Sequence, residues 1–504
     1  MTPNIKEKYD VIIIGSGVGG SGCAALLAAA GYDTLLLEKN ERLGGACSSY
    51  YKNGYTIDVA VHMFAGSTVF KKVLKKTGHP DEIKFYTELG SRTIMATRDL
   101  PPSSAIQERS TGADNLRAYE KFLITLGASE KDAAEIFRIF GEIMKTRKKE
   151  CYELMHISVS DWLDQFSTSP KVHGLFGYFC GIMFAIPHYI ASAGEFLYTM
   201  TQGSEGLAYP YGGAIAIPNG YGRIVEKENG KVATNMRVKK ILLNDAKVEG
   251  VLLSDETLIK APIVVSNAGI KPTILNLLSD KSQLDNKYIN QVMNLTPSYS
   301  SITFKVALKK PIITDYDAVH LFYTTEEEIT EDTLKEVWKS VDRGEIPKEA
   351  AFMSPIPSNM DPSLAPKGKQ LMILGGIAPP KLSEGKSWKP WVDRYWDLIL
   401  EFYPEFEKYL DFLDVTTPLD IIKATGKSEA PVEGTALTVD QSGEKRISSK
   451  IPNIEGLYVA GDTAGTNVHG IGTQMALNSG INVFNMIQQE FPKSGGKHIK
   501  IRVK

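Results

Sequence analysis

Residues 9–38 read YDVIIIGSGVGGSGCAALLAAAGYDTLLLE, and they constrain the rest of the chain. Val11, Ile12, Ile13 and Ile14 form an apolar, β-branched run that predicts a strand buried on both faces, as in a parallel sheet. Gly15, Gly17 and Gly20 follow at GxGxxG spacing, with Gly19 between them. The first glycine permits a tight turn, the second lets a pyrophosphate approach the backbone, and the third lets the next helix pack on the strand. A helix of small residues is predicted over 23–30, its N-terminal N–H groups and positive dipole end facing a phosphate. Residues 34–37 predict a second buried strand, and Glu38 stands at its end, 18 residues after Gly20. A carboxylate there accepts hydrogen bonds from ribose hydroxyls. Strand, turn, helix, strand and acid in this order predict a bound adenine dinucleotide; a glycine-rich turn without a ligand leaves Glu38 unexplained.

Beyond Glu38, Arg42, Gly44 and Gly45 complete an ExxxRxGG pattern. Near the other end, Gly461 and Asp462 close an apolar run, and a small-residue helix is predicted from about Thr473. Together these resemble the flavoprotein family of phytoene desaturases, carotenoid isomerases, retinol saturases and, more distantly, monoamine oxidases. The resemblance implies FAD, with contacts from Lys39, Arg42, Gly44, Gly45 and Ala46 along the cofactor and Val238 beside the adenine. It further places Asp462, with Gly461, on the ribityl and pyrophosphate portion, and Gly472 and Thr473 at the helix entry near the flavin. Residues 54–64 and Gly66 resemble a family stretch that passes beside the flavin, and Tyr209–Pro210–Tyr211–Gly212–Gly213 resembles its YPxGG phrase. Asp361 to Pro366 matches a DPSxAP phrase of phytoene desaturase relatives.

The expected fold class is α/β: a Rossmann-type FAD-binding domain from residues 1–65, 211–295 and 431–504, with a discontinuous α+β substrate domain from 66–210 and 296–430. A chain of 504 residues is long enough for two domains. Its net charge of −2 gives no electrostatic reason to bind nucleic acid. Cys23, Cys47, Cys151 and Cys180 make no metal-ligand spacing, and a reducing, cytoplasmic location without a signal peptide is the simplest reading.

Helical periodicity is expected over 114–126, 133–149 and 160–166. Residues 175–194 contain no Asp, Glu, Lys or Arg, and predict buried helices lining an apolar channel. Contact with a membrane surface, there or through the basic tail, is a second reading. The helix over 214–228 contains Pro218, Gly220 and Gly222 and should be kinked or shortened. Residues 388–410 predict one long amphipathic helix. No metal-ligand cluster and no Ser-His-Asp arrangement are evident.

His62 and His469 are the candidate acid/base groups over the flavin ring, since histidine titrates near neutrality. The expected activity is FAD-dependent desaturation, saturation or isomerisation at carbon–carbon bonds of a hydrophobic isoprenoid or polyene. The electron acceptor is a quinone, oxygen or a protein carrier. Amine oxidation is the alternative chemistry, and a prenyl-binding chaperone like the GDP-dissociation inhibitors is the alternative without catalysis.

Overall fold

The computed structural model describes residues 5–61, 63–87, 91–97, 100–105, 129–202, 207–324 and 330–502. The helix expected over 114–126 lies outside them, as does His62. Five strands form a parallel sheet: β1 (Val11–Ile14), β2 (Thr34–Leu37), β3 (Lys231–Ala233), β4 (Ile263–Ser266) and β5 (Leu457–Val459), in the spatial order β3-β2-β1-β4-β5. β1 and β2 are buried at every position, as the unbroken apolar runs require. The order reverses at β1, so a crevice opens at the carboxyl ends of β1 and β4, where open α/β sheets bind ligands.

Helix α1 runs Val18–Ala29, five residues earlier than its apolar pattern begins. The glycines at its start are set by a neighbour. A Cβ on Gly19 would lie 2.6 Å from the Ala476 carbonyl oxygen, and one on Gly480 only 2.3 Å from the Gly19 oxygen. α1 and the last helix, Gly472–Glu490, therefore meet almost backbone to backbone. Only residues without a side chain permit that approach.

A seven-stranded sheet forms the second layer. Its order is 410–416, 300–308, 370–378, 350–355, 318–324, 91–97 and 100–105, antiparallel except for the pairing of 318–324 with 91–97. The helix Lys389–Phe402 packs Trp391, Tyr395 and Leu398 into the core beside Phe304 and Phe352. It does not run on to 410 as expected. Pro404 disfavours a helical residue before it, so a separate short helix, Glu405–Tyr409, precedes the edge strand. The helix expected over 214–228 is continuous from Ala216 to Lys227. Its later start puts Pro218 in the first turn, where no N–H bond is lost.

The uncharged stretch at 175–194 falls in two helices, Pro170–Phe184 and Ala193–Gln202, joined through Ala185 in the left-handed conformation (φ 49°). No helix among the described residues is long and apolar enough to cross a membrane. The glycine contact yields a first prediction. Gly480→Ala should cost about 1–3 kcal/mol through overpacking, read as a lower urea midpoint with an unchanged slope.

Candidate active site

A cavity of about 320 Å³ lies at the carboxyl ends of β1 and β4. Gly15, Ser16, Gly17 and Gly19 line it from the first turn, with Glu38, Lys39, Gly44, Gly45 and Ala46 beyond β2. Arg237 and Val238 approach from a small antiparallel sheet, and Gly461, Asp462, Gly472 and Thr473 from the far end of the chain. Of the expected contact residues, Gly20 and Arg42 are not on this wall. Gly20 packs beneath the turn, where a Cβ would lie 2.3 Å from the Gly15 oxygen. Arg42 lies outside it, with its guanidinium over the Tyr50 ring.

Glu38 is almost fully buried, and its carboxylate is anchored before any ligand arrives. Oε2 accepts from the Ser16 amide at 3.1 Å and the Ser16 hydroxyl at 2.6 Å, and Oε1 accepts from the Asn40 amide at 2.9 Å. The Ser16 Oγ in turn accepts from the Gly44 amide at 2.9 Å. Ser16 thus ties the glycine turn to the Gly44–Gly45 pair, a role the motif spacing did not reveal. Each carboxylate oxygen offers two lone pairs, so Oε1 retains room for a ribose hydroxyl. Burial and neighbouring Arg237 lower the pKa of Lys39, so two crowded cations face a cavity that suits an anion. Glycines without Cβ atoms, free first-turn N–H groups, paired cations and an acid with spare acceptor capacity fit the pyrophosphate and ribose of FAD.

Asn267, at the end of β4, is a second residue that sequence reasoning missed. A Cβ on Gly17 would meet its amide nitrogen at 2.5 Å, and one on Gly461 its amide oxygen at 2.9 Å. One side chain therefore packs against both glycine segments. Asp58 has a comparable role nearby. It accepts from the Ser49 hydroxyl, the Tyr209 hydroxyl and the Ala214 amide at 2.7–2.8 Å, joining the 54–64 segment to the YPxGG phrase.

At the far end, the Asp462 carboxylate pairs with Lys427 at 2.8 Å, and its carbonyl accepts from buried Arg446. The Gly472 amide, expected to face the flavin, donates to the Glu433 carboxylate. Burial pushes the Glu433 pKa up to about 8, opposed by the Gly472 N–H and assisted by Asp462 nearby. His469 is fully buried. Its Nδ1 is 3.0 Å from Glu195 and its Nε2 3.0 Å from the Tyr152 hydroxyl, and the Tyr198 ring lies 4.5 Å away. Both ring nitrogens are engaged there, and His469 is not on the cavity wall.

Glu38→Ala should weaken FAD binding by about 1.5–3 kcal/mol, measured by fluorescence titration of the apoprotein; unchanged affinity would remove Glu38 from the site. Glu433 stays protonated in the folded chain up to about pH 8 but ionises above its ordinary value near 4.5 when unfolded. The folded state then holds the extra proton, so this group lowers stability as pH rises from about 4.5 to 8, by at most about 1.4 kcal/mol per unit. Melting curves of apo Glu433→Gln should accordingly decline less than wild type over that window; parallel curves would show that Glu433 ionises normally.

Comparison with known proteins agrees with this geometry. Residues 22–483 match the family described as flavin containing amine oxidoreductase. The phytoene desaturase of Fusarium fujikuroi is 27% identical over 390 residues, covering 73% of this chain and 66% of that protein. Prolycopene isomerase 2 of an Oncidium hybrid cultivar is 26% identical over 440 residues, covering 80% of this chain and 70% of the relative. The chain thus spans about two thirds of the length of such relatives. In fold it is similar to an oxidoreductase from Methanosarcina mazei, with a TM-score of 0.68 at 18% identity over 95% of this chain and 100% of that one. With a family match over most of its length and a cavity built for the dinucleotide, the chain belongs to the flavin containing amine oxidoreductase family and is an FAD-dependent oxidoreductase.

Proposed function

We propose that this enzyme acts on carbon–carbon bonds of a long apolar polyene or isoprenoid, by desaturation, saturation or cis–trans isomerisation. The observation that carries this reading is a second cavity of about 150 Å³ adjoining the first. It is walled by Tyr178, Ile182, Trp338, Met353 and Ile377, and Val432 lines both cavities. It lies between the helix Pro170–Phe184 and the seven-stranded sheet, in the proposed substrate domain of residues 66–210 and 296–430. The proposed FAD domain comprises 1–65, 211–295 and 431–504. The desaturase and isomerase relatives support the same substrate class.

Bound FAD supplies the two-electron chemistry at an activated C–H. The chain's own part is positioning. Gly15, Gly17 and Gly19 admit the pyrophosphate, Glu38 orients a ribose, and Asp462 with Lys427 fixes the far portion. The apolar walls of the second cavity would exclude water and hold a hydrocarbon chain. His62 is the proposed acid/base group. His469, held between Glu195 and Tyr152 off the cavity wall, is proposed to act as a positioning residue for the adjoining Gly470–Gly472 segment. A quinone or oxygen is the proposed electron acceptor, and the basic tail a proposed membrane-surface contact. Amine oxidation is less favoured, because the desaturase and isomerase relatives support a hydrocarbon substrate.

The test is anaerobic incubation with candidate carotenoids and retinoids, following flavin absorbance and product isomers. Bleaching or isomer formation with a polyene is expected; bleaching by primary amines alone would assign the amine chemistry. Ala351→Trp, filling the second cavity, should lower kcat/KM for the polyene at least tenfold without lowering FAD content.

A further inference from the structure

Outside both cavities, three side chains from distant parts of the chain converge. His173 lies on the helix Pro170–Phe184, His188 just after it, and Glu331 at the start of the helix Glu331–Asp342. Among the described residues they are the one group of His, Cys, Asp or Glu side chains whose donor atoms all lie close enough to share an ion. His188 Nε2 is 3.0 Å from Glu331 Oε1, and His173 Nδ1 is 3.8 Å from the same oxygen. The three donors lie within 4.8 Å of one another. Tetrahedral ligands about 2.0 Å from zinc stand about 3.3 Å apart, so these separations need only small side-chain adjustments.

The hydrogen bonds of His173 prepare it as a ligand. Its Nε2 faces the Ser167 carbonyl oxygen at 2.9 Å and an Asp164 carboxylate oxygen at 3.4 Å. Both only accept, so Nε2 carries the proton and Nδ1 presents a bare lone pair. That Nδ1 is buried without a hydrogen-bond partner, on a side chain only 4% exposed, and faces Glu331. Metal-ligating histidines are oriented in this way by an outer acceptor on the opposite nitrogen. His188 is 1% exposed, and its Nε2 faces the Glu331 carboxylate.

We propose that His173, His188 and Glu331 bind one divalent transition-metal cation of the zinc class. The ion pins the helix Glu331–Asp342 to the helix Pro170–Phe184. Two neutral imidazoles and one carboxylate are a donor set zinc accepts, with a fourth position left for water. Binding requires the His188 tautomer with its proton on Nδ1, an atom buried without a hydrogen-bond partner, so the metal–Nε2 bond must offset that unsatisfied N–H. Lys335, 3.0 Å from Glu331 Oε1, is the competing cation in the metal-free chain and must swing away; its side chain is 36% exposed. The site has a consequence for the second cavity. Leu334, Val337 and Trp338 on one helix and Gly177 and Gly181 on the other line it, so the ion holds two of its walls together.

The experiment uses the full-length, FAD-loaded protein, stripped with EDTA and dialysed against Zn²⁺, with Co²⁺ absorption as the coordination readout. One Zn²⁺ per chain is expected, together with a tetrahedral Co²⁺ spectrum. His173→Gln and Glu331→Gln should each weaken affinity at least tenfold while retaining FAD. Lys335→Met removes the competing ammonium and should tighten binding, which keeps the test decisive if a ligand variant misfolds. Zinc uptake equal in wild type and His173→Gln, or unchanged by Lys335→Met, would overturn the proposal.

Discussion

The contact on which the structure depends is the meeting of α1 with the last helix. Their backbones touch at Gly19, Ala476 and Gly480, and Asn267 packs between Gly17 and Gly461 beside them. This brings residues more than 450 positions apart onto the wall of one cavity. The small-residue seam carries a conformational-entropy cost, since glycine loses more freedom on folding than any other residue. Burial of Leu26, Leu477, Ile481 and Phe484 around the seam offsets it, at about 25 cal/mol per Å² of apolar surface. The same geometry that packs the helices also leaves the turn open for a pyrophosphate. The packing seam and the cavity wall thus share the same residues.

Where a local pattern has a local cause, the sequence was easy to read. The runs Val11–Ile14 and Thr34–Leu37 are strands with those bounds, because an unbroken apolar run bounded by turn residues has few alternatives. The start of α1 was misplaced because glycine weakens a helix in isolation, whereas here the partner helix demands it. The break at Pro404 was missed because apolar residues continue on both sides of it. Most of the expected cofactor residues line one cavity, since motif glycines and the acid report directly on backbone geometry. The buried polar groups were not legible in this way. Glu195 meets His469 across 274 positions and His188 meets Glu331 across 143, and no spacing rule spans such distances.

The two cavities differ in character, and the difference sets the division of labour. The larger has Glu38, Lys39, Arg237 and Asp462 on its wall; the smaller is mainly aliphatic and aromatic, with Glu349 as its one acidic residue. They share Val432, and its neighbour Glu433 holds the Gly472 amide. A carboxyl group with a pKa near 8 is neutral at pH 7 and can donate or accept at this junction.

Closure of the two chain ends on one cofactor would make them respond to FAD as a unit. Hydrogen–deuterium exchange of the apoprotein across an FAD titration tests it most directly. Amides at 15–20 and at 472–476 should gain protection together, with the same dependence on FAD concentration. Protection confined to the first turn, with exchange at 472–476 unchanged at saturating FAD, would contradict it.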